Sequence, residues 1–182
     1  MHLAYPPRHP LLVELEQRAI ADGVPMVSSE TGRFLSTLVT AMQANRILEV
    51  GTSYGYATLC MALAQPSVGR IWTIEPDVRR TDVARSYFRR AAEDDYIEVF
   101  NTPALELLEN FPHRNLDVVL VASNRDEYAK YLDLVIPMLK LSGLTIFTDC
   151  PSQGAFPDRF LNHPAMDATI LSLGIGIGAR RQ

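Results

Sequence analysis

The residues with the most chemical potential lie in one stretch, Glu49-Val50-Gly51-Thr52-Ser53-Tyr54-Gly55-Tyr56, and in a second acid further on, Glu75. Two glycines between a strand-like run and a helix-like run let backbone approach a ligand closely. A helix starting there offers unpaired N–H groups. Three nucleotide-binding readings compete for such a turn. A P-loop ends in Gly-Lys-Ser/Thr, because the lysine must meet phosphates, and no such ending follows Gly55. A dinucleotide fingerprint needs a second glycine where pyrophosphate touches the backbone, and Ser53 stands there.

The third reading is a cofactor without phosphates, gripped by acids. Glu49, just ahead of the turn, is placed to act on the cationic amino-acid end of S-adenosylmethionine, directly or through water. Glu75 closes the next strand-like run, where a carboxylate can accept both ribose hydroxyls. Either acid alone reads equally well as a surface carboxylate at a strand end. Together, with the glycine turn between them, they favour a ribose-bearing cofactor.

The elements that must position these groups follow from periodicity. Apolar, β-rich runs cover 46–50, 70–75, 96–100, 116–122 and 144–149. Most are apolar at consecutive positions, as strands covered on both faces must be. Between them lie helical stripes: Val83, Ala84, Tyr87, Phe88 and Ala91, then Tyr128, Leu132, Val135 and Leu139. Pro137 should kink or shorten the second helix. Ahead of the first strand, Phe34, Leu35, Leu38, Val39 and Met42 form another stripe, with Ser28 or Ser29 as N-cap, and Leu11, Leu12 and Leu15 suggest a short leading helix. Strand–helix alternation of this kind predicts an α/β, doubly wound, mostly parallel sheet with helices on both faces. The tail, 168–173 and 174–180, predicts an antiparallel hairpin. With no linker in view, the expectation is one domain over 1–182: N-terminal helices (1–44), a cofactor-binding core (46–149), and a loop with the hairpin (150–182).

Composition narrows the class. The 182 residues are 47% hydrophobic and 21% charged with a net charge of -4, a globular balance that disfavours a polybasic nucleic-acid binder. The basic pairs Arg79-Arg80, Arg89-Arg90 and Arg180-Arg181 read as solvated faces and a tail. No run approaches the roughly 20 apolar residues of a membrane span. MHLAYPPRHP lacks a signal-type apolar segment, and Cys60 and Cys150 read as reduced buried thiols, so a cytoplasmic location is expected. His2, His9, His113 and His163 are scattered without metal spacing.

ILEVGTSYGYAT, TIEPD, TPALELL, RDEYAKYLDLVIPMLK and LSLGIGIGARR resemble the S-adenosylmethionine-dependent O-methyltransferases related to catechol and caffeoyl-CoA methyltransferases, from about Met26 to Arg181. The resemblance implies a Rossmann-like class I methyltransferase sheet of seven strands, the last two being the tail hairpin. It implies that Val27 offers backbone to the methionine carboxylate and that Glu49, Gly51, Thr52 and Ser53 line the methionine end. Tyr56 then lies beside the sulfonium region, Glu75 at the ribose and Ala104 at the adenine. Asn124 stands where the family usually has an aspartate near the cofactor's amino group, so it can hydrogen-bond without bringing a countercharge. Homodimers are expected because related enzymes often pair.

The pattern departs from the family at the metal. An aspartate after the fourth strand and an Asp-Asn pair after the fifth become Ala122, Asp149 and Cys150, a poor donor set for a hard cation. The expectation is a site without divalent metal. The family's lysine is Arg125, which stays protonated and can only orient an anionic acceptor or stabilise an oxyanion. Asp149 is then the leading base, ahead of Tyr128 and His163, unless it merely pairs with Arg125. Pro151, Gly154 and Pro157 predict a loop rather than a helix, leaving the acceptor face open or completed by a partner subunit. The resulting expectation is methyl transfer to a small-molecule hydroxyl. Its alternative is a paralogue that binds the cofactor without turnover, and a nicotinamide-dependent oxidoreductase is disfavoured by Ser53.

Overall fold

The apolar runs pair into one sheet because their flanking helices can bury both of its faces. The computed structural model describes residues 5–181; His2, with the rest of 1–4, and Gln182 lie outside that range. The strands are β1 (Arg46–Val50), β2 (Arg70–Ile74), β3 (Ile97–Phe100), β4 (Leu116–Val121), β5 (Leu139–Phe147), β6 (Met166–Leu171) and β7 (Ile175–Arg180), in the order β3-β2-β1-β4-β5-β7-β6. β1 to β5 run parallel, and β7 is antiparallel to both β5 and β6. The chain winds outward from β1 to β3 and then returns to the other side of β1 as β4. That reversal opens a crevice beyond the carboxyl ends of β1 and β4. Val50 pairs with Ile74 on one side and Val121 on the other, so three strands end level at that crevice.

Side chains alternate between two cores. Ile47, Ile71, Val118 and Leu120 face one side, beneath α1 (Pro10–Ala21), α2 (Ser29–Met42), α3 (Tyr56–Ala62) and α4 (Val78–Arg90). Leu48, Val50, Trp72, Ile74, Val119 and Val121 face the other, against α5 (Ala104–Glu109), α6 (Tyr128–Val135) and α7 (Ala155–Leu161). The period-two alternation within continuously buried strands is what places Glu49 and Thr73, each two residues on from a residue of the first core, under α3.

Local signals act as expected at several ends. Ser28 caps α2, its Oγ accepting from Thr31 N–H at 3.1 Å. α6 stops at Val135, and Pro137 lies in the 3-10 turn Ile136–Met138 that follows. The hairpin turns at Gly174, whose N–H bonds the Leu171 carbonyl at 2.9 Å.

Two expectations are corrected. β5 begins at Leu139 rather than Leu144: the ladder with β4 starts at Leu116–Leu139, shifts register, and resumes at Val118–Leu144. A Lys140–Asp117 ion pair spans that irregularity. The stretch after Cys150 forms helix α7 where a loop was predicted. Pro157 is its third residue, where its missing N–H is one that a helix leaves unbonded anyway. Phe156 and Phe160, stacked with centroids 5.7 Å apart, anchor the helix on Phe147. Among the described residues no helix is long and apolar enough to cross a membrane.

Candidate active site

The crevice is a cleft of about 590 Å³. The turn after β1 contributes Gly51, Thr52 and Ser53, the start of α3 Tyr56, and the end of β2 Glu75. Val27 borders it from the segment before α2 and Ala104 from the start of α5, while Asn124 and Arg125 follow β4 and Asp149 follows β5. Ten of the eleven predicted site residues therefore meet in one place, and Glu49 does not.

Glu75 organises the turn. Its carboxylate accepts the Ser53 N–H at 3.0 Å through one oxygen and the Asp77 N–H at 3.1 Å through the other. Ser53 takes a left-handed conformation, φ 50°, and its hydroxyl donates to the Pro25 carbonyl at 2.9 Å, tying the turn to the segment before α2. Arg80 lies 4.0 Å from Glu75 and lines the cleft. The reading of Arg79-Arg80 as a solvated face is thus corrected for Arg80, because the first turn of α4 carries it back over the end of β2. Glu127 and Tyr131 also line the cleft without having been singled out. Their spacing of four on one helical face, joined by a hydroxyl-to-carboxylate hydrogen bond, was the signal available.

The glycines also serve the packing of the turn itself. Gly51 has φ 100°, and a Cβ there would lie 2.2 Å from the Ala122 carbonyl oxygen. At Gly55 a Cβ would lie 2.7 Å from the Phe88 ring. Both permit close packing of the turn against its own neighbours, the residue after β4 and α4, and Gly51 also lines the cleft.

Glu49 is corrected as a direct ligand contact. It is completely buried, because an interior position of β1 turns it under α3. Its Oε2 accepts from Thr58 and from Thr73, the latter at 2.5 Å, while Oε1 has no partner. Burial pushes its carboxyl up to about 7, against the lowering effect of the two hydroxyls.

At the far end of the cleft Asp149 is exposed, in a left-handed conformation with φ 48°. Among the described residues no ion pair joins it to Arg125, so the simple pairing is not formed. Tyr128 is buried, donates its hydroxyl to the Thr148 carbonyl at 2.7 Å, and is pushed up to about 12, chiefly by burial. His163 lies beyond α7, outside the cleft, its Nδ1 accepting from Ala165 N–H at 3.2 Å. Neither lines the cleft. Tyr128→Phe is accordingly expected to lower stability by about 0.5–1.5 kcal/mol, the worth of one hydrogen bond, and to leave the cofactor affinity unchanged. Chemical denaturation and calorimetry check the two halves. Tyr56 borders the cleft, while its ring packs on Gly32 of α2 and its hydroxyl accepts from Arg8 at 2.9 Å. Asn124 uses its Oδ1 to cap the turn at Asp126, 3.2 Å away, leaving its amide N–H groups for a ligand.

The three positions where a divalent ion would bind do not fit one. Ala122 carries no donor. The Cys150 thiol is buried, pushed up to about 11 by that burial, and packs toward β7, where a Cβ on Gly176 would sit 3.3 Å from the sulfur. Asp149 is left as a single carboxylate, and among the described residues no group of three His, Cys, Asp or Glu side chains converges.

Comparison with known proteins meets this geometry. A sequence profile described as O-methyltransferase matches residues 2–158. The chain belongs to the O-methyltransferase family. The catechol O-methyltransferase of Mycobacterium tuberculosis is 31% identical over 120 residues, covering 66% of this chain and 54% of that one. The caffeoyl-CoA O-methyltransferase of Populus kitakamiensis is 29% identical over 152 residues, covering 79% and 65%. This O-methyltransferase-family chain thus spans roughly half to two thirds of the length of the curated relatives it matches. Among solved structures, the O-methyltransferase from Bacillus cereus in complex with SAH superimposes with a TM-score of 0.81 at 25% identity, covering 96% of this chain and 92% of that one. The class I methyltransferase sheet implied by the sequence motifs is the fold of this family member.

Proposed function

We propose that this chain transfers a methyl group from S-adenosylmethionine to the hydroxyl of a small phenol- or catechol-like molecule, without the family's divalent ion. The observation that carries the reading is Glu75, a carboxylate fixed just after β2 beside a turn that lacks the P-loop and dinucleotide glycine patterns, in a cleft of an O-methyltransferase-family chain. The SAH complex of the Bacillus cereus relative supports the cofactor class. The names of the catechol and caffeoyl-CoA relatives support the acceptor class.

In this reading Glu75 accepts the ribose hydroxyls with the lone pairs its backbone partners leave free. Val27, Gly51, Thr52 and Ser53 hold the methionine end, Tyr56 covers the sulfonium region, and Ala104 borders the adenine. The bound cofactor supplies a methyl group already activated on cationic sulfur. The protein then has to align the acceptor, exclude water and manage one proton. A phenol ionises near pH 10, so neutral operation needs a proton acceptor. Asp149 takes that proton. Arg125, always charged, stabilises the oxyanion or an acidic group of the acceptor. The methyl side chain at position 122 and the buried Cys150 thiol, standing beside Asp149 in place of oxygen donors, support operation without metal.

The test is methyl transfer from labelled S-adenosylmethionine to a panel of phenols and catechols, run in EDTA and in Mg²⁺. Equal turnover in both is expected. Loss in EDTA with recovery in Mg²⁺ overturns the metal-free mechanism, and cofactor binding without transfer to any acceptor overturns the activity.

A further inference from the structure

We propose that the chain carries a second ligand site, on the far side of Tyr56 from the cleft, that takes a small carboxylate with an apolar body. The site is a cavity of about 250 Å³ between α1, α2 and α3. Of the residues lining the two cavities only Tyr56 is shared, so the second site is distinct from the cleft.

Its apolar wall comes from helix packing. Leu12 of α1, the Tyr56 ring and the Cys60 sulfur are all buried and all face it. Gly32 lets α2 sit close on that wall, since a Cβ there would lie 2.9 Å from both Cys60 Sγ and Tyr56 Cε1. Such a surface favours the apolar part of a ligand.

Its charge comes from two arginines. Arg8 is engaged: it pairs with Glu16 at 2.5 Å and donates to the Tyr56 hydroxyl at 2.9 Å. Arg33 is placed differently. Its Nη2 donates to the Pro6 carbonyl at 2.6 Å, and its guanidinium lies over the Tyr5 ring, 4.9 Å from the centroid. Those contacts hold the group at the cavity, yet among the described residues no carboxylate pairs with it. The other N–H donors of its planar fork suit a carboxylate.

The lining offers that cation no counterion. No carboxylate is part of the wall, and Glu30, which feels Arg8, stands outside it. Burial pushes the Tyr56 hydroxyl and the Cys60 thiol each up to about 12, so both are neutral at physiological pH. Arg8 and Arg33 both act on the Cys60 thiol against that burial, which sets the two guanidiniums around one wall. The Ser36 hydroxyl donates to the Cys60 carbonyl and the Thr37 hydroxyl to the Arg33 carbonyl, each at 2.9 Å. The donors left for an occupant therefore belong to Arg33.

Two-dimensional amide NMR of the full chain, titrated with benzoate at neutral pH, tests the site. Benzoate should shift the Gly32, Arg33 and Cys60 amides saturably. Benzamide, of the same shape without the charge, should bind about tenfold more weakly, the loss expected when a charge-assisted hydrogen bond is removed. Arg33→Met keeps an apolar stem and should weaken benzoate by a similar factor, while Arg125→Met in the cleft should leave these shifts as they are. Absence of a saturable shift, or shifts confined to residues around Arg125 and Asp149, overturns the site. So does benzamide binding as well as benzoate, or Arg33→Met matching the wild type. Thermal melts report whether that variant folds, and the benzamide comparison decides without it. Because the probe is read at α2 and α3, failure here leaves the methyl-transfer reading standing.

Discussion

Asp149→Asn is expected to lower the rate of methyl transfer by about 10²–10⁴-fold, the usual contribution of a positioned general base, with the cofactor dissociation constant nearly unchanged. The assignment rests on what the other candidates are already doing. Tyr128 donates inward to the Thr148 carbonyl and is pushed up to about 12. Glu127 accepts from Tyr131, and Glu75 is engaged by two backbone N–H groups. His163 is outside the cleft. Asp149 is the exposed carboxylate at the cleft, and none of the ion pairs among the described residues includes it. Asparagine tolerates the same left-handed backbone, so the substitution removes the base without disturbing the turn. Steady-state rates on an accepted phenol, beside calorimetry with the cofactor, provide the check. An unchanged rate would remove the base role and leave alignment and Arg125 to account for the chemistry.

Glu75→Ala should weaken cofactor binding by about 1–3 kcal/mol, the loss associated with charged hydrogen bonds and with the polar groups left unpaired, or roughly 5- to 150-fold in the dissociation constant. Two effects combine here. The carboxylate is the proposed ribose contact, and it also fixes Ser53 and Asp77 through their N–H groups. Glu75→Gln separates them, since an amide oxygen can still accept from one backbone N–H while the charge is lost. Binding titrations of both variants, with melting temperatures of the free proteins, resolve the contributions. A dissociation constant unchanged in both variants would take Glu75 out of the site and leave it a purely structural clasp of the turn.

Legibility differed from element to element. β1, β2 and β4 were readable almost to the residue. Their continuous apolar runs are bounded by turn residues, and a strand buried on both faces has no other pattern open to it. The end of α6 was readable for a local reason, the proline at position 137. The first part of β5 was not. Leu139 to Gly143 mixes apolar, charged and small residues, and it joins the sheet through a register shift that depends on its partner strand. α7 was hidden by Pro157, since a proline signals a break until its place in the first turn is known.

The site divides along the same line. Sequence alone determined that Glu75, Asn124, Arg125 and Asp149 gather at the crevice, because residues that follow neighbouring parallel strands must meet at one sheet edge whatever else the chain does. It also determined that position 122 offers no donor to a hard cation, since a methyl group supplies none in any conformation. Direction was decided by the folded chain. Whether Glu49 lines the cleft or lies beneath α3, how closely Gly51 packs on the Ala122 carbonyl, and whether Arg80 is solvated or bends over Glu75 all depend on contacts between segments distant in the chain. Alternation and spacing specify a face; only packing specifies what occupies the other side of it.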